Sequence, residues 1–223
     1  MTFSLIARCA ATGQFGIVIA SSSPAVGARC AHVRPGVGVV ASQNITDPSL
    51  GPAVLDQLAL GKSAQDALAV VTAGRENIEY RQLLVVDAMG RCAARSGAQV
   101  LGIWNAVIGR DCAAGGNLLA NPDVPKAMVD AFEMAIGHLG DRLMIGLAAG
   151  LAAGGEAGPV MSAGLKIADR LDWPLVDLRM DWCVDPIPAL QAAWQVYRPQ
   201  MVAYVQRAID PTQAPSFGVP GDL

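Results

Sequence analysis

The stretch TFSLIARCAATGQFGIVIASSS, residues 2–23, contains two apolar runs joined by a short polar connection. The first run begins at Thr2, and the second is rich in Ile and Val, which favour strands. The connection includes Gly13, a residue typical of hairpin turns. The sequence therefore predicts a β-hairpin whose first strand starts at the second residue of the chain.

Blocks of strands and helices alternate along the rest of the chain, and an N-cap at Ser63 marks the start of one helix. This order suits one α/β domain over residues 1–209, with sheets covered by helical layers. Residues 210–223 form a Pro- and Gly-rich tail, expected on the surface or disordered. We predict strands at residues 36–43, 82–97, 106–120, 158–168 and 173–182, and helices at residues 51–60, 63–71, 125–138, 141–153 and 186–209.

The composition excludes some classes of partner. Hydrophobic residues make up 52% of the 223 residues and charged residues only 16%, with a net charge of -3. No run of Lys and Arg provides the basic footprint that nucleic-acid binding needs. With so few charged residues, part of the apolar surface must be covered by another subunit. The composition therefore predicts a homo-oligomer, most simply a C2 dimer.

Neither a metal site nor a membrane segment is expected. The five Cys are scattered without a CxxC pair, and the two His, His32 and His138, are far apart, so we predict no metal ligand set and no cofactor. Dispersed, odd-numbered thiols indicate a reduced cytoplasmic protein with mostly buried cysteines. Residues 143–155 are apolar but too few to span a bilayer, and no signal peptide is recognisable.

Thr2 is the strongest candidate for a catalytic residue. If Met1 is removed, Thr2 carries both a hydroxyl nucleophile and a free α-amine, which can act as its base through a bridging water. The α-amine titrates near 7.7–8.0 in model peptides, so a useful fraction is neutral at pH 7. The alternative is that Thr2 simply begins a strand, as Thr often does.

Several stretches of the sequence resemble a bacterial and archaeal family known by the domain name DUF1028. The resemblance extends over nearly the whole chain to about residue 200. The stretches that carry it are TFSLIAR at Thr2, GIVIASSSPAVGA at Gly16, GVGVVASQ at Gly36, YRQLLVVDAMGR at Tyr80, GGNLLA at Gly115, AGLAAGGEAGPVMSAGL at Ala149 and VDLRMDWCVDPIPAL at Val176.

The resemblance implies the fold of the N-terminal-nucleophile (Ntn) hydrolases. In that four-layer αββα sandwich, two packed sheets are each covered by helices and the nucleophile lies at the tip of the first strand. A basic residue reaches the nucleophile in proteasome-like relatives of the fold, and His32 and Arg34 match that region by position only. A solvated loop is the alternative for both residues.

Other polar residues at predicted strand ends complete the candidate site. Gln43, in the segment 42–44, and Asn117, in GGNLLA, could hold an oxyanion through their amides. Ser22 lies in the Ser21–Ser23 triplet, which either provides a hydroxyl that orients groups at the site or is simply a polar turn. Asn44 is a further candidate for substrate binding. Arg81 could bind a substrate carboxylate through its bidentate guanidinium, or form an ion pair.

Two classes of function follow. In the first, Thr2 attacks the carbonyl of a small amide or related C–N bond, and amides near Gln43 or Asn117 stabilise the oxyanion. We then expect Thr2, residues 21–23, residues 42–44 and Asn117 to converge on one pocket for a small-molecule substrate. In the second, the protein is a non-catalytic ligand-binding or assembly protein that retains the sandwich. The segment around Glu156 is either a loop at the pocket mouth or a helix-ending glycine turn.

Overall fold

A computed structural model describes residues 1–219. Ten strands form two antiparallel sheets within this part of the chain, and the first strand begins at Thr2, which confirms that prediction. The strands are β1 (Thr2–Arg8), β2 (Phe15–Ser21), β3 (Ala31–Arg34), β4 (Gly38–Asn44), β5 (Arg81–Asp87), β6 (Cys92–Ser96), β7 (Asn105–Gly109), β8 (Cys112–Asn117), β9 (Ser162–Ala168) and β10 (Val176–Met180). One sheet has six strands in the order β10-β9-β2-β1-β8-β7, and the other has four in the order β3-β4-β5-β6.

Seven α-helices lie in the same residues, and most follow the predicted positions. The Ser63 hydroxyl accepts a hydrogen bond from Asp66 N, so the predicted N-cap is confirmed. His138 caps the helix that begins at Leu139, because its imidazole ring accepts a hydrogen bond from Gly140 N. The helices are α1 (Val26–Cys30), α2 (Leu50–Ala59), α3 (Ala64–Thr72), α4 (Val124–Met134), α5 (Leu139–Ala152), α6 (Pro186–Tyr197) and α7 (Met201–Ile209).

Three cores join these elements. Between the two sheets, the inward rows of β1, β2 and β8 pack against those of β4 and β5. The outer face of the six-stranded sheet packs against α4, α5 and α6. The outer face of the four-stranded sheet packs against α2 and α3. Strands buried on both faces need continuous apolar runs, which explains the low charge of the sequence.

Two glycines of α5 set how closely this helix approaches β1. A Cβ built on Gly146 would lie 2.5 Å from Leu5 Cδ2 and 3.1 Å from Met128 O, and one built on Gly150 would lie 2.7 Å from Met128 Cγ. Because these positions carry no side chain, α5 packs directly on β1 and α4. This contact holds the strand that begins with Thr2.

Three sequence expectations differ from the structure. The short elements α1 and β3 were not predicted, because four or five residues are too few to show a period. The predicted helix at 125–138 ends at Met134, since His138 starts α5 instead. The predicted helix at 186–209 is divided by a 3₁₀ turn at Arg198–Gln200, where Pro199 has no N–H to donate.

Part of the predicted tail has defined contacts. A 3₁₀ turn spans Pro211–Gln213, and the Phe217 ring lies under the Arg207 guanidinium at 3.6 Å. Residues 220–223 lie outside the described residues.

The five cysteines are all free thiols, of which Cys30 and Cys112 are buried and the other three half-buried. Mostly buried thiols were expected, so that part of the prediction is wrong. Within residues 1–219, no helix combines the length and the apolar character needed to cross a bilayer.

We predict that Gly146→Ala will destabilise the protein by about 1–3 kcal/mol, because the new methyl group meets a backbone carbonyl as well as a side chain. This loss should outweigh the intrinsic preference of helices for Ala, about 1 kcal/mol. Chemical denaturation measures the difference. Ala148→Ser adds one atom on the exposed side of the same helix and should change stability by less than about 0.5 kcal/mol. Equal effects of the two substitutions would contradict the packing described.

Candidate active site

Six polar side chains lie between the sheets at one end of the inter-sheet core. Side chains alternate between the two faces of a strand, so Thr2 and Ser4 share the face of Ile6, which belongs to this core. The same alternation applies on the other strands, and none of the six side chains is more than 5% exposed. We call them the inter-sheet polar cluster: Thr2, Ser4, Ser21, Gln43, Gln82 and Asn117.

Strand pairing brings the members of this cluster together. Thr2 is the register partner of Asn117 in the β1–β8 ladder. Gln43 is the partner of Gln82 in the β4–β5 ladder. The two sheets are then linked by Ser4 Oγ, which donates to Gln43 Oε1 at 2.7 Å. Residues far apart in sequence thus meet at one end of the inter-sheet space.

The amide of Gln82 has a single allowed orientation. Its Nε2 donates to the backbone carbonyls of Gly116 at 3.2 Å and Asn105 at 3.3 Å, and carbonyls can only accept. Its Oε1 must therefore point the other way, where Gln43 Nε2 donates at 2.8 Å and Asn117 Nδ2 at 3.2 Å. The orientation of all three amides follows from two backbone carbonyls.

This network changes what Gln43 and Asn117 offer to a substrate. The hydrogen bond of each amide nitrogen goes to Gln82, whereas both nitrogens were expected to serve an oxyanion. Asn117 Oδ1 is buried and has no partner among the described residues, so an acceptor is free on the register partner of Thr2, while each amide nitrogen keeps a second N–H. The oxyanion role of these two amides stays a prediction.

The hydroxyls of Thr2 and Ser21 meet at the backbone carbonyl of Met1. Thr2 Oγ1 lies 3.4 Å from Ser21 Oγ and donates to Met1 O. Ser21 Oγ donates to the same carbonyl at 2.5 Å. Ser23 N–H donates to Ser21 Oγ at 3.0 Å, which occupies an acceptor position and leaves the hydroxyl proton for the carbonyl. Ser21 is therefore a donor aimed at a carbonyl oxygen next to Thr2.

Glu156 lies against the turn that follows β2. The Ser22 N–H donates to both carboxyl oxygens, at 3.1 and 3.0 Å, and Glu156 also pairs with Leu119 in an isolated β-bridge. Burial raises the pKa of Glu156 to about 7, although the positive N-terminal amine and the Ser22 N–H act in the opposite direction. A carboxyl group that titrates near neutral pH therefore adjoins the N-terminus. The predicted substrate-binding role of Ser22 stays a prediction.

A cavity of about 290 Å³ opens beside Glu156. Gly158 forms part of its wall, together with apolar side chains such as Val184, which precedes α6, and Ile187 in the first turn of α6. A Cβ built on Gly158 would lie 3.0 Å from Met1 Cε, so the Met1 side chain rests against this wall. The cavity thus adjoins the residue that precedes Thr2.

Asn44 and Arg81, which were predicted to bind substrate, lie one residue beyond Gln43 and Gln82 in the same ladder. Asn44 Nδ2 donates to Tyr80 O at 2.6 Å, and Arg81 Nη1 donates to a backbone carbonyl of the loop after β4. Both side chains bind backbone carbonyls next to the ends of this ladder. Their role in substrate binding stays a prediction.

Three other residues face away from the cluster. Ser42 Oγ donates to Asp47 O at 3.0 Å, on the side of the sheet that α2 covers. His32 packs against Gly51 of α2, and Arg34 Nη2 pairs with Asp56 of the same helix at 2.8 Å. His32 and Arg34 lie on β3 rather than in a solvated loop, and both contact α2.

Sequence reasoning gave no role in the site to Ser4 or Gln82. It did not separate Ser21 from its neighbours in the Ser21–Ser23 triplet, and it left two alternatives open for Glu156. The alternation of β2 carried a usable signal, because Ser21 shares the parity of Ile17 and Ile19, whereas Ser22 does not. No comparable local signal exists for Glu156, whose position depends on the contact between the segment after α5 and the turn after β2.

Within residues 1–219, no group of three or more His, Cys, Asp or Glu side chains is placed as metal ligands would be. The polar side chains of the inter-sheet polar cluster are hydroxyls and amides, and the carboxyl of Glu156 binds the adjoining turn.

Comparison with known proteins gives a family. The sequence model of DUF1028, described as a family of unknown function, matches residues 2–190. The chain is 30% identical to protein SPO2555 from Silicibacter pomeroyi, whose crystal structure is assigned to the same family. Their TM-score is 0.86, and the alignment covers 92% of this chain and 90% of that one. No curated protein matches the sequence.

Two Anbu structures are more distant. The Gly-1 mutant of Anbu from Hyphomicrobium sp. strain MC1 is 13% identical, with a TM-score of 0.44 over 98% of this chain and 100% of that one. Anbu (ancestral beta-subunit) from Yersinia bercovieri is 11% identical, with a TM-score of 0.40 over 97% and 100%. Similarity at this level establishes neither fold nor function.

We predict that Gln82→Leu will destabilise the protein by about 2–4 kcal/mol, because it leaves several buried polar groups without partners, each worth about 1–3 kcal/mol. Chemical denaturation measures the loss. Gln65→Leu, on the exposed side of α3, is the matched control and should change stability by less than about 0.5 kcal/mol. A neutral Gln82→Leu variant would show that the amide network does not join the sheets.

We predict that Glu156→Gln will stabilise the protein at pH 8, by about 3 kcal/mol, and change it little near pH 4. The folded pKa is raised to about 7 from the ordinary value of 4.5, so the folded carboxyl keeps its proton while the unfolded one loses it. Stability of the native protein therefore falls as pH rises through this interval, by about 1.4 kcal/mol per pKa unit, and the raised pKa already includes the effect of the N-terminal charge.

Denaturation at several pH values tests this effect, with exposed Glu76→Gln as the control. A Glu156→Gln effect that is the same at pH 4 and pH 8 would contradict the raised pKa.

Proposed function

The chain belongs to DUF1028, a family of unknown function, and we propose that it is an N-terminal-nucleophile hydrolase of small amides, with Thr2 as nucleophile after Met1 is removed. The observation that carries this proposal is the meeting of Thr2 Oγ1 and Ser21 Oγ at one carbonyl oxygen. A nucleophilic hydroxyl and a carbonyl-directed donor thus share one buried site at the tip of the first strand.

We also propose that the fold is the four-layer αββα sandwich of the Ntn hydrolases. Three hydrophobic cores support this fold proposal: one lies between the two sheets, and one lies between each sheet and the helices that cover it. In such an arrangement the N-terminus of β1 opens between the sheets, which is where Thr2 lies.

The reaction follows from the groups around Thr2. The free α-amine takes the proton of Thr2 Oγ1, directly or through a water, as the oxygen attacks the substrate carbonyl. Ser21 Oγ donates to the carbonyl oxygen as negative charge develops there. The amine then returns the proton to the leaving nitrogen, and a water molecule hydrolyses the ester on Thr2.

Two acceptors face the amine in this scheme. Asn117, the register partner of Thr2, presents an unpaired buried Oδ1. Glu156 interacts with the charge of the Met1 amine, one residue before the nitrogen that becomes free in this scheme. Negative or acceptor groups in these positions attract the ammonium that forms during proton transfer.

The second candidate is a non-catalytic binding protein, favoured by one observation. With Met1 in place, both hydroxyls are engaged by its carbonyl and the Thr2 nitrogen is an amide. Intact mass of the natively expressed protein separates the candidates, because retention of Met1 throughout would leave Thr2 without a free amine.

We predict that Thr2→Ala will reduce amide hydrolysis to background, that Thr2→Ser will retain part of it, and that Ser21→Ala will lower kcat by about 100- to 1,000-fold. A screen of small amides, with acyl-enzyme detected by mass, measures these effects. Ser42→Ala is the matched control, since its hydroxyl is equally buried but faces α2, and it should keep full activity. Activity that survives Thr2→Ala would exclude Thr2 as the nucleophile.

A further inference from the structure

The site already holds one aminoacyl group, that of Met1. Its carbonyl oxygen accepts from Ser21 Oγ at 2.5 Å and from Thr2 Oγ1. Its side chain rests against Gly158, where a Cβ would lie 3.0 Å from Met1 Cε and 3.4 Å from Met1 Sδ. An unbranched apolar side chain and a carbonyl are therefore accommodated together, next to the hydroxyl of Thr2.

The adjoining cavity limits the size and polarity of a ligand. Its volume of about 290 Å³ lies at the lower end of small-molecule sites, which usually measure about 300–1,000 Å³. Such a space suits a single amino-acid residue better than a peptide. Most of the wall is apolar, with Leu151, Val160, Val184 and Ile187 among the lining residues.

The charge of the cavity favours a cation. Its lining contains two carboxyl groups, Glu156 and Asp185, and among the described residues that form it there is no Lys, Arg or His. The positive amine of Met1 already lies close enough to lower the pKa of Glu156 against the effect of burial. A ligand amine in the same place gains this attraction in a partly desolvated environment.

We propose that the substrate is the amide of a single α-amino acid that has a free amine and an unbranched apolar side chain, such as methioninamide. This proposal rests on the proposed function. The acyl carbon forms an ester with Thr2 Oγ1 while its C–N bond breaks, and the leaving amine takes the proton held by the Thr2 amine. Water then hydrolyses the ester and releases the free amino acid.

Binding tests the ligand class without catalysis. In the Thr2→Ala variant produced without Met1, calorimetry should show saturable binding of L-methioninamide and about 10-fold weaker binding of N-acetyl-L-methioninamide, a difference of about 1.4 kcal/mol. Glu156→Gln in this background should remove most of that difference. Equal binding of the two ligands, or no saturable binding of L-methioninamide, would overturn the proposal.

A substitution at Gly158 tests the place of the side chain. Gly158→Ala puts a methyl group where the ligand side chain would lie, so L-methioninamide should bind about 10-fold more weakly while L-alaninamide keeps its affinity. Ala157→Ser adds an atom at the neighbouring exposed position and should change neither affinity. Equal loss for both ligands would place the side chain elsewhere.

The two proposals fail in different ways. Thr2-dependent hydrolysis of an acidic or N-acetylated amide, without turnover of L-methioninamide, would support the hydrolase and overturn this substrate class. Binding of L-methioninamide with the predicted selectivity, but no hydrolysis of any amide by the chain that begins at Thr2, would support the ligand class and overturn the hydrolase.

Discussion

The need to satisfy polar groups buried between the two sheets determines how the candidate site is built. Water does not reach Gln82, which is fully buried, so its amide must find all its partners within the protein. Two carbonyls on the six-stranded sheet bind its nitrogen, and amides from both sheets bind its oxygen. One side chain therefore connects the sheets and orients the groups around Thr2.

This constraint separates structural polar residues from those available for chemistry. Gln43 and Asn117 have the amides that an oxyanion site would use, but their nitrogens bind Gln82. Ser21 is different, because the Ser23 N–H occupies an acceptor position on its oxygen and leaves its proton free for a carbonyl. The donor that already binds a carbonyl is thus the Ser21 hydroxyl on the neighbouring strand, and Asn117 adds an unpaired acceptor.

Glu156 connects this polar site with the apolar cavity. It binds the turn after Ser21 through the Ser22 N–H, and it also lines the cavity beside Met1. A carboxyl in this position lies where it can interact both with the terminal amine and with a ligand amine. The glycine at 158 complements it, since the missing side chain leaves room for an apolar group.

The sequence by itself determined the hairpin at Thr2, most of the helices and strands, the N-cap at Ser63 and the membership of the family. These features depend on local periodicity, capping and extended stretches of similar sequence. It also pointed to polar residues at strand ends, but it did not separate Ser21 from Ser22 or reveal the part played by Gln82. Hydrogen-bond partners such as Gln82 and Asn117, or Ser22 and Glu156, lie 35 and 134 residues apart. Only the tertiary structure decided which donors are engaged and which remain free, because that depends on long-range strand pairing and on the packing of one sheet against the other.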